Sequence, residues 1–302
     1  TTVTNGSFIG LRSGAGGTIN FSNNTISGID MIGNAATIAT GFNGIAGSGG
    51  AVLIVNNNTI GSPTLANSIN MVSTSATSTT GTAVRGIICN SATAGVTNTI
   101  TNNLVANINT NYSATGSQTN TLIGISVTTG ITTISGNTIR NLSSASQTTA
   151  GGGTPVVLGI NYSSTAATPA ALISNNTIHT LKATNPSAIS AIQTAGIYFS
   201  GPSTGNPVIE RNFIHSISIA SPTNSAGYIT GIDLGVTSGV TITVRNNMIR
   251  LGLDETGASV TSPCTVRGIT KNVPNSNIWF NSIYIGGTGV GTTATNTFCL
   301  AR

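Results

Sequence analysis

The chain has 302 residues, of which only 5% are charged (ten Lys+Arg against five Asp+Glu), and a formal net charge of +5. Soluble domains average about 25% charged residues, yet no apolar run here approaches the ~18 residues that a membrane-spanning helix needs. Single Ile and Val scattered among Thr, Ser, Asn, Ala and 38 Gly exclude a coiled coil or helical bundle, while 38% hydrophobic residues suffice to bury a core.

The basic balance rests on few groups. Ten cations spread over the whole chain, two of them Lys, lack the clustering and interleaved aromatics of a nucleic-acid binder, so no nucleic-acid partner is expected. Three cysteines (Cys89, Cys264, Cys299) are too few for a disulfide scaffold and lack metal-ligand spacing. The chain starts at Thr1 with no initiating Met and no signal peptide, and reads as a processed or excised piece of a longer polypeptide.

In chain order, one motif recurs eight times: SNNTI at Asn24, NNNTI at Asn58, TNNLV at Asn103, SGNTI at Asn137, SNNTI at Asn176, ERNFI at Asn212, RNNMI at Asn247 and WFNSI at Asn281. The spacings are 34, 45, 34, 39, 36, 35 and 34 residues. Three residues before each Asn stands Phe21, Val55, Ile100, Ile134, Ile173, Ile209, Val244 or Ile278. Two residues after it stands Ile26, Ile60, Val105, Ile139, Ile178, Ile214, Ile249 or Ile283. Two apolar columns filled in every copy are not produced by surface turns alone.

A Gly-Ile motif falls between successive copies, at Gly44, Gly86, Gly124, Gly159, Gly196, Gly231 and Gly268. Two residues beyond the last six of these Ile stand Cys89, Val127, Tyr162, Phe199, Leu234 and Lys271. Period-two alternation in a Val/Ile/Thr-rich setting is a strand signal. Each unit therefore holds a Gly-Ile strand, a strand running into the Asn turn and a strand leaving it. Ser/Thr/Ala/Gly loops follow, such as 73–82 and 143–155.

Strands this short bury a face only by stacking on their repeats. The expected fold is all-β: one single-stranded parallel β-helix domain over 1–302, right-handed, with about eight coils of ~36 residues and rungs ~4.8 Å apart. The eight Asn are expected to tolerate left-handed backbone angles in the turn and to ladder amide to amide along the stack. The stack also explains the low charge, since like charges in one column repel whereas Thr, Ser and Asn bond along it. Glu210 and Arg245 share a column in adjacent coils and are expected to pair.

Units of the form NNTIxxI…GI, ending in the variant NIWFNSIYIGG at 277–287, resemble the right-handed β-helix repeats of Bacteroidota surface proteins. The resemblance covers essentially the whole chain. It implies an extracellular or cell-surface location and a structural, adhesive or glycan-contacting role. The carboxy-terminal sorting domain that such exported proteins often carry is not present here.

The acids Asp30, Glu210, Asp233, Asp254 and Glu255 are too dispersed for a Ca²⁺ site or a glycosidase pair, so neither an enzyme nor a cofactor is expected. Only Asp233, on a Gly-Ile strand and facing outward, sits where β-helix enzymes act, and it sits alone. The column three residues after the Asn changes character along the chain. It holds Ser27, Gly61 and Ala106, then Arg140, His179, His215, Arg250 and Tyr284.

The last five of these make an outward ladder of planar groups. It is a candidate glycan-binding surface by charge-assisted bonds and stacking, or else a self-packed cover for the turn. His179 and His215 in adjacent coils lack a third ligand for a metal. Cys264 and Cys299, 35 residues apart, are candidates for a disulfide between neighbouring coils; Cys89 is expected in the core. A Thr column at Thr25, Thr59, Thr138 and Thr177 fills only half the coils, too few for an ice-binding lattice.

The leading expectation is a non-enzymatic stalk, fibre or adhesin segment of a secreted bacterial surface protein, without a membrane span. Its expected partners are end-to-end copies of itself, another surface protein, or a glycan. The alternative is a carbohydrate-binding or carbohydrate-active β-helix using the Arg/His/Tyr ladder.

Overall fold

In a computed structural model, residues 7–14, 16–33, 41–73, 83–91, 97–112, 121–145, 154–166, 170–184, 192–202, 205–220, 227–235, 240–262, 264–272, 275–288 and 297–301 are described. They form an all-parallel β-solenoid without a helix. Its strands fall into three sheets, each built from the same third of successive coils. Nine strands, the seven that carry Gly-Ile flanked by Ser7–Ser13 and Thr297–Ala301, make the first sheet, here the Gly-Ile sheet. Eight strands that run into the Asn, from Gly17–Ser22 to Asn275–Trp279, make the approach sheet. The strands leaving the Asn, from Thr25–Ile26 to Ser282–Ile285, make the exit sheet.

The two apolar columns flanking the Asn point inward as expected. Val55, Ile100, Ile134, Ile173, Ile209 and Val244 are fully buried, and Ile60, Val105, Ile139, Ile178, Ile214 and Ile249 face them. The Ile after each Gly, from Ile45 to Ile269, completes a triangular interior filled with β-branched side chains. Tyr162 and Phe199 widen one corner and stack with ring centroids 5.1 Å apart. Burial pushes the Tyr162 hydroxyl up to about 12. Cys89 is buried in this core, as its position predicts.

Six of the eight repeated Asn lie in turns covered on both sides and are 1% exposed. Asn24 and Asn281 sit on end rungs, so the solenoid has about six complete turns rather than the eight counted from the motif. The long 45-residue interval arises mainly on the exit side. Between Ile60 and Ile69 the chain makes an excursion through Ser62–Ser68, where the next coil passes directly from Val105 to Ile108. Of the two expected loops, 74–82 and 146–153 lie outside the described residues, whereas Ser73 and Ser143–Ala145 continue strands.

One expectation about the Asn turn is corrected. The left-handed residue is not the repeated Asn but the one before it: Asn23, Asn57, Asn102, Gly136, Asn175, Arg211, Asn246 and Phe280, all with φ between 53° and 69°. This explains why that position so often holds a second Asn or a Gly, the residues that tolerate this region. A second left-handed position, four residues after the repeated Asn, kinks the exit strand at Gly28, Asn107, Asn141, Thr180 and Ser216.

Thr180 is β-branched and adopts φ 56°, an unfavourable choice for its side chain. Thr180→Asn, which copies Asn107 and Asn141, is expected to stabilise the fold by about 0.5–1 kcal/mol. The thermal midpoint checks this, and a lower midpoint would contradict the strain argument.

The repeated Asn itself is committed to the ladder. Each Oδ1 accepts both the backbone N–H and the Nδ2 of the Asn one coil earlier, at 2.9–3.1 Å from Asn24–Asn58 through Asn247–Asn281. From Asn58 onward, Nδ2 also donates to the carbonyl of the inward residue one coil back, as Asn137 does to Ile100 at 2.9 Å.

The Gly of the Gly-Ile motif answers a different need, close approach rather than a special φ. A Cβ at Gly10, Gly44, Gly86, Gly124, Gly159, Gly196, Gly231 or Gly268 would stand 2.5–2.7 Å from the carbonyl oxygen of the next coil. It would be equally close to the inward Ile or Val two residues after an Asn. The Gly column and the Ile column therefore require each other. Gly10 belongs to this column although Leu11 follows it.

Across the described registers no two like charges face each other directly. Glu210 and Arg245 pair as expected, Nε to Oε2 at 2.7 Å, and Arg211 adds a second contact at 3.3 Å. Glu210 is buried rather than exposed.

Candidate functional site

The exit sheet brings the Arg/His/Tyr column together rung by rung: Arg140 faces His179, His179 faces His215, His215 faces Arg250 and Arg250 faces Tyr284. The imidazoles of His179 and His215 lie parallel, with centroids 4.7 Å apart and planes 3° from each other. Phe213 tilts against His215 at 4.5 Å.

The polar edges of the column turn back onto the protein. Nη2 of Arg140 donates to the carbonyl of Pro63, in the excursion of the second coil, at 2.6 Å. Nη2 of Arg250 donates to Ser216 Oγ at 3.2 Å. Nδ1 of His179 shares a hydrogen bond with Thr180 Oγ1, and Nδ1 of His215 one with Ser216 Oγ, both at 2.9 Å. The left-handed residues thus fasten the imidazoles in place. Parallel rings a rung apart do not converge on one ion, and among the described residues no group of three His, Cys, Asp or Glu is placed to hold a metal. Tyr284, on the last rung, is the exposed end of the column.

Electrostatics keep the two imidazoles neutral. His215 is pushed down to about 4, first by burial and then by His179 and Arg250. His179 is lowered by burial and by Arg140. From pH 6.5 down to 4 the unfolded chain takes up protons on these groups before the folded chain does, so their contribution destabilises the fold progressively as pH falls through that window. Above pH 6.5 it is flat. The urea midpoint is expected to fall less steeply between pH 7 and pH 4.5 in His215→Gln than in the parent, and identical slopes would remove His215 from the account.

The remaining acids do not converge. Asp30 Oδ1 accepts from Asn70 Nδ2 at 3.0 Å. Asp254 organises its own turn, accepting from Thr256 and Ala258, and these bonds, led by the Thr256 hydroxyl, lower its carboxyl. Asp233 is buried on the outer side of the Gly-Ile sheet, where Oδ2 accepts from Gln193 Nε2 at 2.6 Å; burial raises its carboxyl.

The disulfide between Cys264 and Cys299 is not formed, and both thiols are free. The register explains why. Val266 pairs with Thr297 and Arg267 with Phe298, which sets Cys299 opposite Gly268, four residues beyond Cys264 and ~13 Å along the strand.

The fold and its columns define the class of protein: this chain is a parallel β-solenoid repeat protein. Comparison with protein-family models, with curated proteins and with solved structures gives no match.

Proposed function

We propose that the chain is a non-enzymatic structural segment of an extracellular bacterial fibre or stalk, extended by further coils of the same repeat. The observation that carries this reading is the polarity of the Asn ladder. Every step runs the same way, with N–H and Nδ2 of one coil donating to Oδ1 of the next. On the first rung the Oδ1 of Asn24 has no donor among the described residues. On the last rung the backbone N–H of Asn281 has no acceptor among the described residues. One end offers what the other lacks, so coils of this repeat add in a single orientation. The dispersed acids and the resemblance of the repeat to those of surface proteins support the same reading.

The experiment has two arms. Antibodies raised against the folded chain are expected to label intact producing cells, and electron micrographs of the chain with added coils of its own repeat to show straight rods that lengthen by ~4.8 Å per coil. Labelling only after lysis, or particles that do not lengthen, would overturn the proposal.

A further inference from the structure

At the corner where the approach and exit sheets meet, the outward side chains change character in the last three coils. The left-handed turn position holds Asn or Gly in the first five coils, then Arg211, Asn246 and Phe280. One residue after the repeated Asn, four of the first five coils hold Thr, and the last three hold Phe213, Met248 and Ser282. Two residues before it, Ser, Asn and Thr give way to Glu210, Arg245 and Trp279.

The apolar groups exposed here are not an effect of the solenoid's end. Phe213 and Met248 belong to strands paired on both sides, yet they are 37% and 55% exposed. The turn position taken by Phe280 is exposed in every coil, and Phe280 itself is 84% exposed. Phe280 also adopts φ 53°, where a bulky side chain is strained and Asn is not. A phenyl ring at the tip of this turn thus carries both a backbone cost and a solvation cost. Strain kept at an exposed position points to function rather than to packing, and an apolar patch rimmed by polar groups marks an interaction surface.

Shape and charge decide what covers it. The interior is closed behind these two sheets, so their corner is a convex ridge along the solenoid axis and offers a small ligand no walls. Its one acid, Glu210, is buried and held by Arg211 and Arg245, whose side chains stay 58% and 41% exposed. Two cations against one acid leave the ridge positive. Asp254 and Glu255 stand further along the exit side, beyond the Arg250 column. A second copy of the same ridge would set Arg against Arg. A flat anionic surface with an apolar interior meets every feature. Phe and Met enter the acyl boundary, Trp sits at the headgroup level, and Arg is drawn to the anionic headgroups.

We propose that the corner ridge of the last three coils docks the solenoid side-on against an anionic phospholipid surface. Phe213, Met248, Trp279 and Phe280 enter the headgroup boundary, and Arg211 and Arg245 meet the phosphates. The ridge is a lateral surface, so this stands apart from whether further coils extend the ends.

The test is cosedimentation of the folded chain with vesicles of phosphatidylcholine alone and of phosphatidylcholine mixed with phosphatidylglycerol. Binding is expected to the mixed vesicles, weakened by added salt, and is expected to be much weaker to the neutral ones. The informative variants restore residues that the earlier coils already use. Met248→Thr and Phe280→Asn are each expected to weaken binding about tenfold or more, and Arg211→Asn about fivefold. None is expected to lower the thermal midpoint, and Phe280→Asn is expected to raise it. Leu65→Ser removes an equally exposed apolar residue in the excursion of the second coil and is expected to leave binding unchanged. No binding to either vesicle, binding indifferent to both Met248→Thr and Phe280→Asn, or binding to soluble oligouronates with none to vesicles would overturn the proposal.

Discussion

Asn137→Ala is expected to destabilise the solenoid by about 3–5 kcal/mol, far beyond an ordinary turn substitution. Side-chain truncation removes the acceptor for the N–H and Nδ2 of Asn103, and removes the donor to Ile100 O and to Asn176 Oδ1. Each buried group left unpaired costs about 1–3 kcal/mol, less whatever water relieves. Asn281→Ala, on the half-exposed end rung, is expected to cost under half as much, because solvent reaches the groups it strands. Asn137→Asp keeps the Oδ1 acceptor but turns the donor into a second acceptor facing three oxygens, those of Ile100, Ser135 and Asn176. Its loss is expected to be large at neutral pH and to shrink as pH falls and the carboxyl protonates. Denaturant midpoints of the three variants measure this directly; equal losses at Asn137 and Asn281 would show that the ladder is not the source.

Gly159→Ala is expected to cost about 3 kcal/mol or more, although alanine is ordinarily the better residue in a strand. Its Cβ would stand 2.5 Å from Gly196 O and 2.5 Å from Ile178 Cγ2. Neither neighbour has room, because Ile178 is fully buried and the carbonyl belongs to a sheet continuous on both sides. Insertions into a full core typically cost 1–3 kcal/mol, and here backbone must move as well. Ile178→Val in the same chain is expected to recover little, since it leaves the carbonyl contact in place. Gly16→Ala, where an added Cβ meets nothing, serves as the control and is expected to be neutral. A mild effect at Gly159 would mean that the rungs slide apart more easily than the packing suggests.

Most of this architecture is visible in the sequence because a stacked repeat writes each contact eight times. Val or Ile three residues before the Asn, and again two residues after it, can only be inward columns, and the Asn between them can only be stacked. The left-handed position was harder to place, because Asn-Asn leaves open which of the two takes the unusual φ. Gly136, standing alone before Asn137, was the signal that settles it in favour of the first. The ladder column was legible as an alignment of Arg140, His179, His215, Arg250 and Tyr284. That the arginines and histidines would spend their donors on Pro63, Thr180 and Ser216 was not, because those bonds depend on the excursion and on the kink.

The bond from Gln193 to Asp233 is not legible in the sequence for a related reason: the residues on the outer side of the Gly-Ile sheet vary from coil to coil, and the contact spans five residues of register. The cysteines illustrate the opposite error: a spacing of one period suggested proximity, but the coil between Cys264 and Cys299 is four residues out of phase along the strand.

The half-buried Phe21, Ile26, Ile278 and Ile283 on the outer rungs, set against the sealed interior between them, imply a stability that varies with distance from the ends. In such a linear array each coil is held by two neighbours and nothing else. Amide hydrogen exchange should therefore be fastest at both extremities and slow toward the middle coils, as fraying penetrates one rung at a time. A lesion in the middle would then be felt differently from one at the tip. It divides one long cooperative stack into two short ones, each with a new frayed end.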